Sequence, residues 1–223
     1  MIKVLKKLNF SYLSLLTTIV AYLLVSPILS GVFSTLFLDL LFSLILLGSL
    51  NILGRGKQSF YISLAVATPI ILLVWLAHFD DSAWIRIAGN LLFMCYIGTT
   101  IAVLLYHIFL RDEVQIDLIF GVFSVFLLTG FFWALVYSTL EIFFPGSFAG
   151  IDEFFIKETR EPYTSNFEVL LYFSFVTLTT LGYGDVTPLT HFTRNLSMME
   201  AVMGQFYIAT FVASLMGRLS RHR

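Results

Sequence analysis

The chain has 223 residues, of which 58% are hydrophobic and only 12% charged, with 13 Lys and Arg against 14 Asp and Glu. A soluble domain carries about 25% charged residues, so half of the usual water-facing surface is missing. This composition excludes an ordinary soluble domain, a disordered chain and a nucleic-acid binder built on a basic surface, and a single cysteine, Cys95, excludes an intrachain disulfide framework and a Cys-rich zinc site.

An integral membrane protein remains. A helix needs about 20 apolar residues to cross the hydrocarbon core. Six runs meet that length in chain order: 12–30, 33–53 with Asp39 inside it, 60–79, 87–110, 118–140, and 201–217 extended backwards through 195–200. No run alternates with period two, so a β-barrel is not expected. Lys3, Lys6, Lys7, Arg55, Lys57, Arg111, Arg218, Arg221 and Arg223 collect on one side of these spans. Asp80, Asp81, Asp152, Glu153, Glu158 and Glu161 collect on the other, with Lys157 and Arg160 among them. The positive-inside rule then places both termini in the cytoplasm.

The first span has the basic start of a signal peptide. Its uncharged stretch continues to Leu38, past an h-region of about 7–15 residues, and no good small-x-small cleavage site follows, so an uncleaved helix is expected. Arg86, near the outer end of the fourth span, is expected to snorkel to the surface. Asp39 lies at similar depth and is expected to pair with it, since an intramembrane carboxylate is by default functional or paired. Cys95 reads as a small core hydrophobe. The four histidines do not cluster, and no metal or pH-sensing role is assigned to them.

Residues 144–194 separate the last two spans. Residues 145–162 are polar and acidic and read as an exposed outer loop, punctuated by Gly146, Gly150 and Pro162. Ser165 with Glu168 three residues on fits a capping box. The helix it opens, from Phe167 to about Leu178, is roughly 18 Å long, too short to cross. With spans on both sides, it reads as re-entrant. Thr177-Leu178-Thr179-Thr180-Leu181-Gly182-Tyr183-Gly184-Asp185 follows.

That stretch closely resembles the selectivity-filter signature of potassium channels, Thr-Val-Gly-Tyr-Gly-Asp, with Leu181 where Val is usual. Ion selection by filter carbonyls is the established behaviour of that signature, not a result of this sequence. The residues suit it. A stack of carbonyls facing one way requires alternating left- and right-handed backbone, which Gly182 and Gly184 tolerate. Thr180, Leu181, Gly182, Tyr183 and Gly184 are the expected ion-coordinating filter, with K⁺ held at Thr180, Leu181, Gly182 and Tyr183. Leu181 and Tyr183 would turn outward and brace the ring, and Thr180 could add its hydroxyl at the inner mouth. The short helix aims its partly negative C-terminus at the cation. One strand cannot surround an ion, whereas four identical chains can, so a C4 homotetramer is implied.

The resemblance implies further roles. Thr179, Asp185 and Tyr172 would support the filter. Tyr172 stands where voltage-gated channels carry a Trp that bonds the matching Asp, although it also reads as an interfacial aromatic with water at its tip. Val176 stands where pore-only bacterial channels carry a Glu. Gly204 matches the gating hinge by position, and close helix packing explains such a glycine equally. Ile208, Val212 and Met216 follow it on one helical face and form either an apolar cavity and gate or a lipid-facing stripe. Glu200 reads as a partner of Arg194 or as a solvent-facing vestibule residue.

The expected fold is therefore an all-α integral membrane protein with six transmembrane helices, a re-entrant pore helix and a selectivity filter. Residues 1–110 form a four-helix domain resembling a charge-poor voltage sensor, and residues 111–223 form the pore domain. The fourth span carries only Arg86 where a sensor needs a ladder of cations. Six residues follow Gly217, so no large cytosolic gating domain is expected, and a separate regulatory subunit is left open. The expected function is passive K⁺-selective conduction with weak or no voltage dependence. Alternatives are a potassium uptake transporter subunit or a non-conducting channel-like modulator. No enzyme motif is present, no cofactor is expected beyond K⁺ as permeant ion, and no nucleic acid is expected as partner. The expected location is a prokaryotic plasma membrane.

Overall fold

The computed structural model describes residues 10–26, 40, 43–45, 57–76, 82–110, 116–151 and 164–220. Asp39, the acidic residues expected in the outer loops, and most of the basic residues used for orientation lie outside the described residues, and so does the expected Asp39–Arg86 pair.

Six helices and one small strand pair are described. These are α1 (Phe10–Val25), α2 (Lys57–Leu76), α3 (Ala83–Leu110), α4 (Ile116–Phe143), α5 (Thr164–Leu178) and α6 (His191–Ser220), with β1 (Phe148–Ala149) and β2 (Thr187–Pro188). Residues 40 and 43–45 are also helical. Among the described residues, three helices are long and apolar enough to cross a membrane: Ala83–Phe109, Leu118–Phe143 and His191–Ser214. The chain is thus a mostly helical, multi-pass membrane protein.

Helix α4 is the centre of the bundle, and α1, α3 and α5 all pack on it. Tyr12, Leu15, Ile19 and Tyr22 form the buried stripe of α1, at the three- and four-residue steps that share a helix face. The Tyr22 ring meets Phe131 of α4 edge-on at 5.3 Å. Phe93, Ile97, Thr100, Leu104 and Ile108 form the matching stripe of α3. Near its N-terminal end the Asn90 amide donates to Thr139 Oγ1 of α4 at 3.2 Å, which satisfies two polar groups among apolar helices. Cys95 departs from expectation: it is exposed. Two residues along from Phe93 lies about 200° round the helix, so it falls off the buried stripe. Arg86 is half-buried in the first turns of α3.

A second core lies where α4 meets α5. Tyr137, Phe148 and Phe173 contact one another edge-on, with centroids 5.3 Å apart in each pair. Trp133 stacks on Tyr137 at 5.8 Å. This aromatic cluster joins the outer helix, the segment after it and the short helix. Edge-to-face pairs contribute about 0.5–1.5 kcal/mol beyond area burial, so the short helix has a firm seat despite its length.

Helix α5 has 15 residues and starts three residues before the expected Phe167. At about 22 Å it is still too short to span. Helix α6 begins at His191, earlier than the expected 195. Thr190 and Thr193 explain the start, because the Thr193 N–H donates to Thr190 Oγ1 at 3.1 Å and the Thr190 N–H donates to Thr193 Oγ1 at 3.2 Å. This reciprocal pair caps the helix as a Ser/Glu box would.

Helices α5 and α6 meet at Gly204. A Cβ built there would lie 2.0 Å from the Leu178 carbonyl oxygen, which is backbone and cannot swing aside. Close approach therefore accounts for glycine at this position, and α6 is continuous through it. Gly204→Ala is expected to destabilise the chain by about 1–3 kcal/mol, the usual range for overpacking, read as a lowered denaturation midpoint in an SDS titration of the purified protein. An unchanged midpoint would show that the two helices are further apart than described.

Candidate functional site

Residues 179–185 leave the C-terminus of α5 as an exposed loop that leads through buried Val186 into β2. The backbone alternates in hand. Thr180, Gly182 and Gly184 have φ of 60°, 58° and 77°, while Leu181 and Tyr183 are not in the positive-φ region. Sequence reasoning anticipated the two glycines but not Thr180. A β-branched residue with positive φ is a true outlier, and such strain costs about 1–3 kcal/mol.

The N–H groups fix which way the peptides face. The Thr180 N–H donates to Thr177 O at 2.9 Å, and those of Leu181 and Gly182 donate to Val176 O at 2.9 and 3.3 Å. In a trans peptide the C=O points opposite to the N–H. The carbonyls of Thr180 and Leu181 therefore point away from α5. The Thr179 hydroxyl also donates back to Phe175 O at 2.5 Å. The helix C-terminus, the negative end of its dipole, lies at the same place.

Both ends of the loop are tied down. At the outer end the Tyr172 hydroxyl donates to Asp185 Oδ2 at 2.5 Å, the bond expected from the sequence, and Asp185 Oδ1 accepts the Val186 N–H at 3.0 Å. The short sheet pairs Phe148 with Pro188 and Ala149 with Thr187, so the chain after the loop is stitched to the segment after α4. Gly150, with φ of 90°, passes so close that a Cβ would lie 2.1 Å from the Asp185 carbonyl oxygen. At the inner end the Gln205 amide donates to Thr180 Oγ1 at 3.1 Å.

The Gln205 contact orients α6. The Thr180 hydroxyl lies where the loop leaves α5, so the helix face bearing Gln205 is turned to that end of the loop. Ile208, Val212 and Met216 follow Gln205 by three, seven and eleven residues, share that face and are exposed. The side of α6 that meets the protein begins at Gly204, about 100° round from Gln205 and packed on Leu178, and continues to Tyr207, about 160° round, whose hydroxyl donates to Val122 O of α4 at 2.8 Å. Periodicity could not distinguish these faces because both are mostly apolar. Gln205 was missed in the sequence, although an amide in an apolar helix one residue after Gly204 was the available signal.

Glu200 corrects both expectations for it. It neither pairs with Arg194 nor faces solvent. It is 0% exposed, between Tyr137 of α4 and Ser174 of α5, with Tyr137 Oη 2.6 Å from Oε2 and Ser174 Oγ 2.5 Å from Oε1. The early start of α6 is the reason, since it carries Glu200 into the third turn and onto the buried stripe. The Arg194 Nε donates instead to Pro188 O at 3.1 Å.

Residues 118–221 match a protein family described as ion channel. The match contains α5, the loop, all of α6 and nearly all of α4. The chain is also 25% identical over 177 residues to the voltage-gated potassium channel Kch of Escherichia coli (strain K12), covering 79% of this chain and 37% of that protein. It thus spans just over a third of that relative's length. No solved structure matches the chain.

The Tyr172 bond holds the Asp185 carboxyl below the usual aspartate range, and the same bond pushes the Tyr172 hydroxyl up to about 12. A depressed carboxylate contributes fully above its ordinary value of about 3.9, and the contribution is lost as pH falls through the lower folded value. Tyr172→Phe removes the main cause, so the Asp185 titration midpoint, followed by carbon NMR of labelled aspartate, is expected to rise. A midpoint that does not move would mean that the bond is not made in the bilayer.

Proposed function

We propose that four copies of this chain form a K⁺-selective channel, with residues 180–184 of each copy contributing one quarter of the filter. The observation that carries the proposal is the alternation of φ over Thr180–Gly184, with the N–H groups drawn back to Val176 and Thr177. Backbone so arranged presents successive oxygens along one line. A cation that sheds its water there meets carbonyl dipoles and the Thr180 hydroxyl in place of hydration. No proton or covalent bond moves, and flux follows the electrochemical gradient. The signature shared with potassium channels, the ion-channel match over residues 118–221 and the similarity to a protein named as a potassium channel support the same conclusion.

The symmetry is supported by what one protomer leaves uncovered. Leu181 and Tyr183 are exposed, as are Met199, Met203 and Phe206 on the flank of α6. Apolar area of this extent calls for a partner or lipid, and a fourfold ring would seat the filter side chains against neighbouring copies. The lower half of α6 then lines a common cavity with Ile208, Val212 and Met216, where an apolar constriction can close by dewetting. Gly204 keeps α6 near the filter, so opening motions of the helix bend from there. Residues 1–110 surround the pore domain as a four-helix domain in a plasma membrane, completing six spans with both termini cytoplasmic.

The decisive measurement is the reversal potential of the purified chain in liposomes under opposed K⁺ and Na⁺ gradients. It is expected to track the K⁺ equilibrium potential, and a value midway between the two would overturn selectivity.

Voltage should matter little. Arg86 is the only Lys or Arg in α3, and one charge carried through 100 mV is worth about 2.3 kcal/mol per subunit. Open probability is expected to change gently across a series of holding potentials in a planar bilayer. A steep sigmoid would place a sensor elsewhere in the chain.

A further inference from the structure

Glu200 sits at a junction that ion permeation does not use. Among the described residues no cation faces it. The elements packed around it carry few ionisable groups. On α4 these are Asp117, Tyr137 and Glu141, and Glu141 accepts the N–H groups of Gly146 and Ser147. On α5 they are Glu168, near the helix start, and Tyr172, which is bound to Asp185. On α6 they are His191, Arg194, Tyr207 and Arg218, of which Arg194 is exposed and engaged with Pro188. The groups that face the carboxyl are Tyr137 and Ser174, both 0% exposed, and Ser197 faces Tyr137 from the side.

The hydrogens can be counted. Ser174 Oγ lies 2.5 Å from Glu200 Oε1 and 2.8 Å from the Gly130 carbonyl oxygen of α4. A hydroxyl has one proton to donate, and a carbonyl can only accept. The short contact to Gly130 therefore takes the Ser174 proton. The 2.5 Å contact to Glu200 then needs a proton from the carboxyl itself. Tyr137, whose Oη is 2.6 Å from Oε2, donates to the remaining oxygen. An ionised Glu200 would take the Ser174 proton and leave two oxygens 2.8 Å apart with none between them, besides placing an unpaired charge in the interior.

We propose that Glu200 is held as a neutral carboxylic acid, accepting from Tyr137 and donating to Ser174, and is the positioning residue that fixes the pore helix between the outer and inner helices. The resulting chain, Tyr137 to Glu200 to Ser174 to the Gly130 carbonyl, starts and ends on α4 and passes through α6 and α5. Ser174 lies three residues before Thr177, and Glu200 lies one turn before Gly204, so the chain holds the helix end from which the filter hangs. This goes beyond the proposed permeation and does not depend on it, because the protonation state can be read without any current.

The test is an infrared spectrum of the full chain in bilayers at neutral pH, with and without carbon-13 glutamate, compared with Glu200→Gln. Wild type is expected to show a protonated-carboxyl C=O band that shifts on labelling and is lost in Glu200→Gln. Only carboxylate bands at this position would overturn the proposal. Tyr137→Phe gives a second measurement should the Gln variant not fold: the band should persist but move to higher frequency as its acceptor bond is removed, and an unmoved band would equally overturn it. Gln can mimic the neutral acid, with its amide donating to Ser174 and its carbonyl accepting from Tyr137. Glu200→Gln should therefore retain the wild-type SDS denaturation midpoint while Glu200→Ala lowers it, and equal losses in the two variants would count against the chain of bonds.

Discussion

The Val176 carbonyl is the atom on which the site depends. It ends the short helix and accepts the N–H groups of both Leu181 and Gly182. Those two bonds turn two successive peptides the same way, which an ordinary strand cannot do because its carbonyls alternate. Left-handed residues at Thr180, Gly182 and Gly184 are the consequence of returning each peptide to the same side. At Gly182 and Gly184 the conformation is easily reached. At Thr180 it is strained, so the surroundings must hold it. They do so on two sides, through the N–H bond to Thr177 and the Gln205 amide on the hydroxyl.

A helix whose C-terminus orients a loop must itself be held in place, and α5, at 15 residues, is too short to span a membrane. Its position comes from side contacts. On one side are Tyr137 and Phe148, meeting Phe173 at 5.3 Å. On another is Gly204, where α6 approaches the Leu178 carbonyl so closely that no side chain fits. Between them, the buried Glu200 joins Ser174 and Tyr137. The aromatic contacts supply energy without much direction, whereas the hydrogen-bonded junction supplies direction. Together they tie the end of α5 to both α4 and α6.

The features legible in the sequence are those set by local chemistry. Gly182 and Gly184 announce their backbone, and the length of the apolar run before them announces a helix that cannot cross. The Tyr172–Asp185 bond was one of two readings offered by the resemblance, which places Tyr172 where related channels carry a Trp bonded to the matching Asp; the residues alone read equally as an interfacial tyrosine. What could not be read depends on rotation and on neighbours. The spanning part of helix α6 is apolar almost all round, so the side turned to the loop emerges only from the Gln205 contact. Cys95 was misplaced because α3 is likewise apolar on every face, and a stripe cannot be chosen without knowing what it meets. Glu200 was misread because its partners come from helices 26 and 63 residues away. Thr180 was missed because positive φ in a β-branched residue is imposed by tertiary contacts and has no compositional signal.

The two ends of the loop are held by different elements, and this shapes how the site can respond. The outer end hangs on Tyr172 of α5 and on the strand pair joining it to residues 148–149, all of which belong to the fixed frame built on α4. The Thr180 end hangs on Gln205, which belongs to α6, a helix whose Phe206, Ile208, Val212 and Met216 are exposed. A displacement of α6 would therefore reach Thr180 first, and it would act on the residue where the backbone is already strained. Strain at Thr180 lowers the cost of leaving its left-handed conformation, and losing the Gln205 bond removes one of the two contacts that hold it there. Movement of α6 and the backbone state of Thr180 are thus linked through one amide.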